Sequence, residues 1–193
     1  MTKLKELSRK FFFTLDDVVQ QAGIQTASAR VWCSRLVRRG ELIRLKKGFY
    51  VASSKWENLS PQDLLKIANF LQVPSYISLM TALAHYEVTT QVQKGYYESV
   101  CLKRSITYNV QDSVFSYIKI QPRYYREFVK TDGFFIATQE KALLDMVYLY
   151  SYGKYRFDVA SLNFEKLNMK KLKHLSETYP AKTKETLKRL CGI

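Results

Sequence analysis

Apolar residues recur at three- and four-residue intervals through residues 4–37, and that spacing predicts three short helices. Leu4, Leu7 and Phe11 share one face of a first helix over residues 3–12. Leu15, Val18, Val19 and Ala22 form the buried stripe of a second. Thr14 opens it as N-cap, Asp17 three residues on completes a capping box, and Gly23 ends it. A third opens near Thr26 and runs to Arg39 before Gly40, with Ala29, Trp32, Cys33, Leu36 and Val37 on its core face. The period then changes. Residues 42–46 and 49–53 are β-rich runs joined through Lys46-Lys47-Gly48, a hairpin in which glycine supplies a positive φ.

Residues 53–55 and 58–61 read as a connection, followed by helices over 63–72 and 75–87 that Pro74 separates. From Gly95 the chain turns to strand-forming residues, with runs at 96–102, 105–108, 114–121, 128–130 and 134–137. A helix over 139–152 follows, capped by Thr138, and terminal helices are expected over 162–179 and 182–190, divided by Pro180. The expected fold is α+β: an N-terminal winged helix-turn-helix over residues 1–58, then a mixed α/β domain over 59–193 with C-terminal helices.

Charge adds a partner to this picture. The net charge is +14, and residues 1–58 hold half of that excess, with 12 Lys/Arg against 5 Asp/Glu. A segment this basic attracts a polyanion by releasing its condensed counterions. Apolar runs are far shorter than a membrane span and the N-terminus lacks a signal-peptide core, so a cytoplasmic location without membrane contact is expected. Cys33, Cys101 and Cys191 suit neither a disulfide framework nor, with His85 and His174, a zinc set; no metal and no cofactor is expected.

In a helix-turn-helix the second helix enters the major groove with its N-terminal residues near base edges. Here those residues are Gln25, Thr26, Ser28 and Arg30. Arg30 can reach guanine bidentately and Gln25 can read adenine, while Thr26 and Ser28 suit bases or phosphate. Ser34, Arg35 and Arg38 lie further along the polar face and suit phosphate, as do Lys46 and Lys47 at the hairpin tip. Trp32 falls on the apolar face and is expected in the core. Winged helices also serve as protein–protein modules, which is the alternative reading of this stretch.

Three segments carry a resemblance to a known family. FTLDDVVQQAGIQTASARVWCSRLVRRGELIRLKKGFYV, PSYISLMTALAHYEV and FFIATQEKALLDMVYL together resemble the AbiEi antitoxins of type IV, abortive-infection toxin–antitoxin systems. The resemblance spans roughly residues 10–155 and is most specific at 137–145; relatives often carry proline where this chain has Gln139. It implies an N-terminal domain that represses its own operon at inverted-repeat promoter DNA. It also implies a C-terminal domain that counters a nucleotidyltransferase-like toxin, without an obligatory stable complex. A transcriptional regulator with no toxin partner is the corresponding alternative. Lys103, Arg104, Arg123 and Arg126, interleaved with Tyr124 and Tyr125, are candidates for a second basic surface. No phosphate-binding loop, nucleophile elbow or zinc helix occurs, so no enzyme activity is expected. Lys141 and Asp145 sit one helical turn apart beside Glu140, but in place of an acid–base cluster Thr138 is expected to cap, Glu140 to complement the helix dipole, and Ala142, Leu143, Met146 and Val147 to pack.

Overall fold

The computed structural model describes residues 6–91 and 93–192. They divide into two compact units, one running to Leu64 and including Tyr108–Asp112, the other holding Leu65–Thr107 and the residues from Ser113 onward.

The first unit is built on a three-stranded antiparallel sheet, β1 (Phe13–Thr14), β2 (Leu42–Lys46) and β3 (Phe49–Ala52), in the order β1-β3-β2. Helix α1 (Leu15–Ala22) follows β1, and α2 (Thr26–Arg38) follows after a short turn. The capping box is present: Thr14 N–H donates to Asp17 Oδ2 at 2.6 Å, and Asp17 N–H donates to Thr14 Oγ1 at 3.1 Å. Gly23 ends α1 in the left-handed region at φ 62°. Leu7, Phe13, Val18, Ala29, Cys33, Leu36 and Tyr50 form the core, with Trp32 and Val37 packed against it.

Three expectations fail in or beside this unit. Residues 3–5 of the helix expected over 3–12 lie outside the described residues. Among the described residues of that span only Glu6 and Leu7 are helical, after which Arg9 and Lys10 N–H groups close tight turns onto Glu6 and Leu7. Phe13, just past the expected helix, is extended, and its pairing with Tyr50 buries its ring at 1% exposure. Residues 53–55 are not a plain connection but open a one-turn helix, α3 (Ser53–Trp56). It is tied back by Ser53 Oγ donating to the Gly40 carbonyl at 2.5 Å. Helix α4 (Pro61–Leu71) begins two residues before expectation, since Ser60 and Asp63 cap each other and Pro61 takes the first helical position.

The second unit is organised by a six-stranded mixed sheet. Its strands are β4 (Ser75–Ile77), β5 (Tyr96–Cys101), β6 (Ile106–Val110, of which Tyr108–Val110 group with the first unit), β7 (Ser113–Lys119), β8 (Phe128–Thr131) and β9 (Phe134–Ala137), in the order β6-β7-β5-β4-β9-β8. The expected helix over 75–87 is therefore wrong in its first half. Ser75, Tyr76 and Ile77 are all buried in a strand between β5 and β9, and only α5 (Leu79–His85) is helical. A strand covered on both faces shows no alternation, so periodicity does not separate it from a helix.

Helix α6 (Gln139–Ser151) packs against α5 and both C-terminal helices, α7 (Met169–Ser176) and α8 (Ala181–Cys191). The expected long helix over 162–179 shrinks to α7 because Asp158, Asn163 and Asn168 punctuate the segment. Each side chain accepts a nearby backbone N–H, from Ala160, Glu165 and Lys171 respectively, all at 3.0 Å.

Candidate nucleic-acid interface

Helix α2 shows two faces. Ala29, Cys33 and Leu36 are buried, whereas Thr26, Ser28, Arg30, Val31, Ser34, Arg35 and Arg38 are exposed. Gln25, its N-cap, makes no capping hydrogen bond and is also exposed, so the first-turn amides have no side-chain cap. The β2–β3 hairpin turns through Lys47 and Gly48, with Gly48 at φ 78° and a register shift between Arg44 and Lys46. Together α2, the start of α1 and the hairpin enclose a groove of about 590 Å³.

The groove sorts the residues predicted from sequence. Thr26, Arg30 and Ser34 recur every four residues along the edge of α2 that lines it, and Lys47 lines it from the hairpin tip. Ser28, Arg35 and Arg38 are exposed on α2 but do not line it; neither does Lys46, whose half-buried ammonium lies 4.7 Å over the Phe49 ring. Two exposed residues were missed. Arg44 projects from β2 into the groove, and its position between buried Ile43 and Leu45 in an alternating strand was the available signal. Val31, 50% exposed, lies one helical turn before Arg35; an apolar residue there gave no chemical cue in the sequence.

Electrostatics concentrate in the same place. The Tyr50 hydroxyl is shifted upward mainly by burial and further by Cys33, while Arg44 and Arg30 both pull it back. Both guanidinium groups therefore act electrostatically on the Tyr50 hydroxyl, and all three residues line the groove. Among the described residues Arg30, Arg35, Arg38, Arg44 and Lys47 enter no ion pair, whereas Lys10 is held by Asp17 at 2.5 Å and Arg39 meets Glu41 at 4.0 Å. Unpaired cations around a concave surface suit a phosphate backbone.

The second basic cluster is less uniform. Lys103 and Arg104 are exposed in the turn after β5. Arg123 lies 4.8 Å from the Tyr124 ring centre, and Arg126 donates to Thr178 Oγ1, so packing engages two of the four cations.

Lys141 and Asp145 form a fully buried pair on α6. Asp145 also accepts from the Tyr76 hydroxyl and from Ser78 Oγ, each at 2.9 Å, and Lys141 donates to the Tyr179 hydroxyl at 3.0 Å. Burial holds Lys141 below the usual lysine range, offset in part by Asp145. Glu140, expected only to complement the helix dipole, is 3% exposed and accepts from Lys171 at 3.0 Å and from the Asn168 N–H at 3.2 Å. These contacts are the joints of the fold.

The first unit, with its two helices, short turn and basic hairpin, defines a winged helix-turn-helix protein of mixed α+β fold. Residues 3–53 match the family described as "Transcriptional regulator, AbiEi antitoxin", which bears out the resemblance in that segment and supports a regulator or antitoxin role. The fold is similar, over 98% of this chain, to the crystal structure of the RV2827C protein from Mycobacterium tuberculosis. That match has a TM-score of 0.68 at 15% identity and covers 74% of the mycobacterial protein, a likeness of fold alone. No curated protein matches the chain. Among the described residues no helix is long and apolar enough to cross a membrane.

Proposed function

We propose that this chain is a DNA-binding autorepressor and the antitoxin half of a type IV, abortive-infection toxin–antitoxin operon acting in phage defence. Residues 1–58 bind inverted repeats in its own promoter. Residues 59–193 counter a nucleotidyltransferase-like toxin in the cytoplasm, without a required stable complex. The observation that carries the DNA-binding part is that Arg30 and Arg44, neither in an ion pair among the described residues, line one groove together with Thr26, Ser34 and Lys47. The regulator family matched by residues 3–53 supports the antitoxin part.

Within this reading Arg30 addresses a base edge, with Gln25, Thr26 and Ser28 beside it. Ser34, Arg35, Arg38, Arg44, Lys46 and Lys47 hold phosphates. Lys103, Arg104, Arg123 and Arg126 supply a weaker secondary contact to nucleic acid. Fluorescence anisotropy on the native upstream duplex tests this directly. Arg30→Ala should cost about tenfold or more on the native site and little on a scrambled one, whereas Lys47→Ala should weaken both alike. Equal losses for the two variants would refute the assigned register of α2. Co-expression with the adjacent gene tests the antitoxin part: a toxic neighbour rescued by this chain supports it, and a harmless neighbour removes it.

A further inference from the structure

A second concave site lies wholly within the sheet-bearing unit and is independent of the DNA-binding reading. Tyr96 and Glu98 alternate along β5, and the parallel register places Glu98 opposite Ser116 of β7. The segment after α6, from Gly153 to Arg156, completes a cavity of about 690 Å³. Small-molecule sites span ~300–1,000 Å³.

Its polar groups differ in exposure. Glu98 is 3% exposed yet lines the cavity. The Tyr155 hydroxyl lies 2.9 Å from its Oε1 and 2.8 Å from its Oε2, and Oε2 also accepts the Met80 N–H at 3.1 Å. Oε1 keeps acceptor capacity for a further donor. Burial lifts the Glu98 carboxyl to about 7. Lys154 and Arg156 line the same cavity, are exposed, and enter no ion pair among the described residues. The carboxylate is satisfied by a phenol and a backbone amide rather than by these cations, so both positive charges stay available to an anion. The half-buried Tyr96 and the aliphatic Ile118 line the same cavity.

We propose that this cavity binds a nucleotide whose base carries an exocyclic amine. The amine donates to Glu98 Oε1, the base lies against Tyr96 and Ile118, and the phosphates meet Lys154 and Arg156. Each part of such a ligand finds one matching surface: a donor for the acceptor, a π-face for the tyrosine, an anion for the cations. A free nucleotide and the terminal nucleotide of an RNA strand share this chemistry.

Isothermal titration of the full chain with CTP, UTP and tripolyphosphate tests it, because CTP and UTP differ at the position where an amine is replaced by a carbonyl. CTP is expected to bind at least about tenfold tighter than either of the others, the scale of one charge-assisted hydrogen bond. Lys154→Ala and Arg156→Ala, both exchanges of exposed side chains, should each weaken CTP by about fivefold or more. A short RNA ending in cytidine distinguishes the sources: tighter binding than CTP assigns the cavity to a strand end, weaker binding to the free nucleotide. Equal affinity for CTP and UTP, tripolyphosphate binding as tightly as CTP, or no heat with any of them at millimolar concentration would each overturn the proposal.

Discussion

Asp16 lines the same groove as Arg30 and Arg44, and its charge opposes theirs. Its place in the first turn of α1 suits the helix dipole, but a phosphate entering the groove meets a like charge. Asp16→Asn should therefore tighten binding to any duplex by about two- to fivefold at low salt, with the gain shrinking as salt rises. Anisotropy titrations at two ionic strengths read this, and unchanged affinity at both would remove Asp16 from the interface. Glu98 makes a prediction of a different kind. It is an acid whose folded value, about 7, lies above its ordinary 4.5, so the folded state binds the proton more tightly. Its stabilising contribution is full below about 4.5 and is lost as pH rises through about 7, an upper scale of about 3 kcal/mol. Asp17 and Glu140 are shifted downward, each raised by burial but lowered further by its lysine partner and backbone amides, so their contributions are lost only under more acidic conditions. Urea unfolding between pH 5 and 8 should show stability falling in the native chain and flattening in Glu98→Gln. Parallel profiles would contradict the assignment.

At the scale of elements, α6 is the strut of the second unit, and its buried pair reaches two other segments. Asp145 holds Tyr76 of β4 and Ser78 beside it, while Lys141 holds Tyr179 just before α8. Lys141→Met leaves Asp145 buried without its counter-ion and should cost about 3–5 kcal/mol in urea unfolding. Adding Asp145→Asn should recover part of that loss, and strictly additive losses would show that the two charges do not act as a pair. Most elements were legible from local signals. The Thr14–Asp17 box and Gly23 bounded α1, and the strands from β5 to β9 followed their β-branched and aromatic runs. What escaped depended on distant partners. Phe13 is extended because Tyr50 pairs with it, and β4 is a strand because β5 and β9 flank it. The interface was legible in the same measure. Helix periodicity exposed Arg30 and Ser34, but only the folded hairpin brings Arg44 to them.

At the scale of the molecule, the basic excess is shared between a groove of unpaired cations and a second region whose cations are more often committed. Arg123 rests on Tyr124, Arg126 on Thr178, Lys171 on Glu140 and Lys182 over Tyr152. Those engaged side chains are less available to neutralise phosphates and displace the counterions condensed on a duplex, so the groove should dominate the salt dependence of any DNA complex. The measurement closest to the central claim is the affinity of the intact chain for its own upstream duplex as a function of salt, run beside a scrambled duplex of equal length. The account predicts that log affinity falls linearly with log salt, with a slope of roughly −3 to −5 for each bound copy. It also predicts an advantage of at least about a hundredfold for the native site that Arg30→Ala largely removes. A slope near zero, or equal affinity for both duplexes, would contradict it.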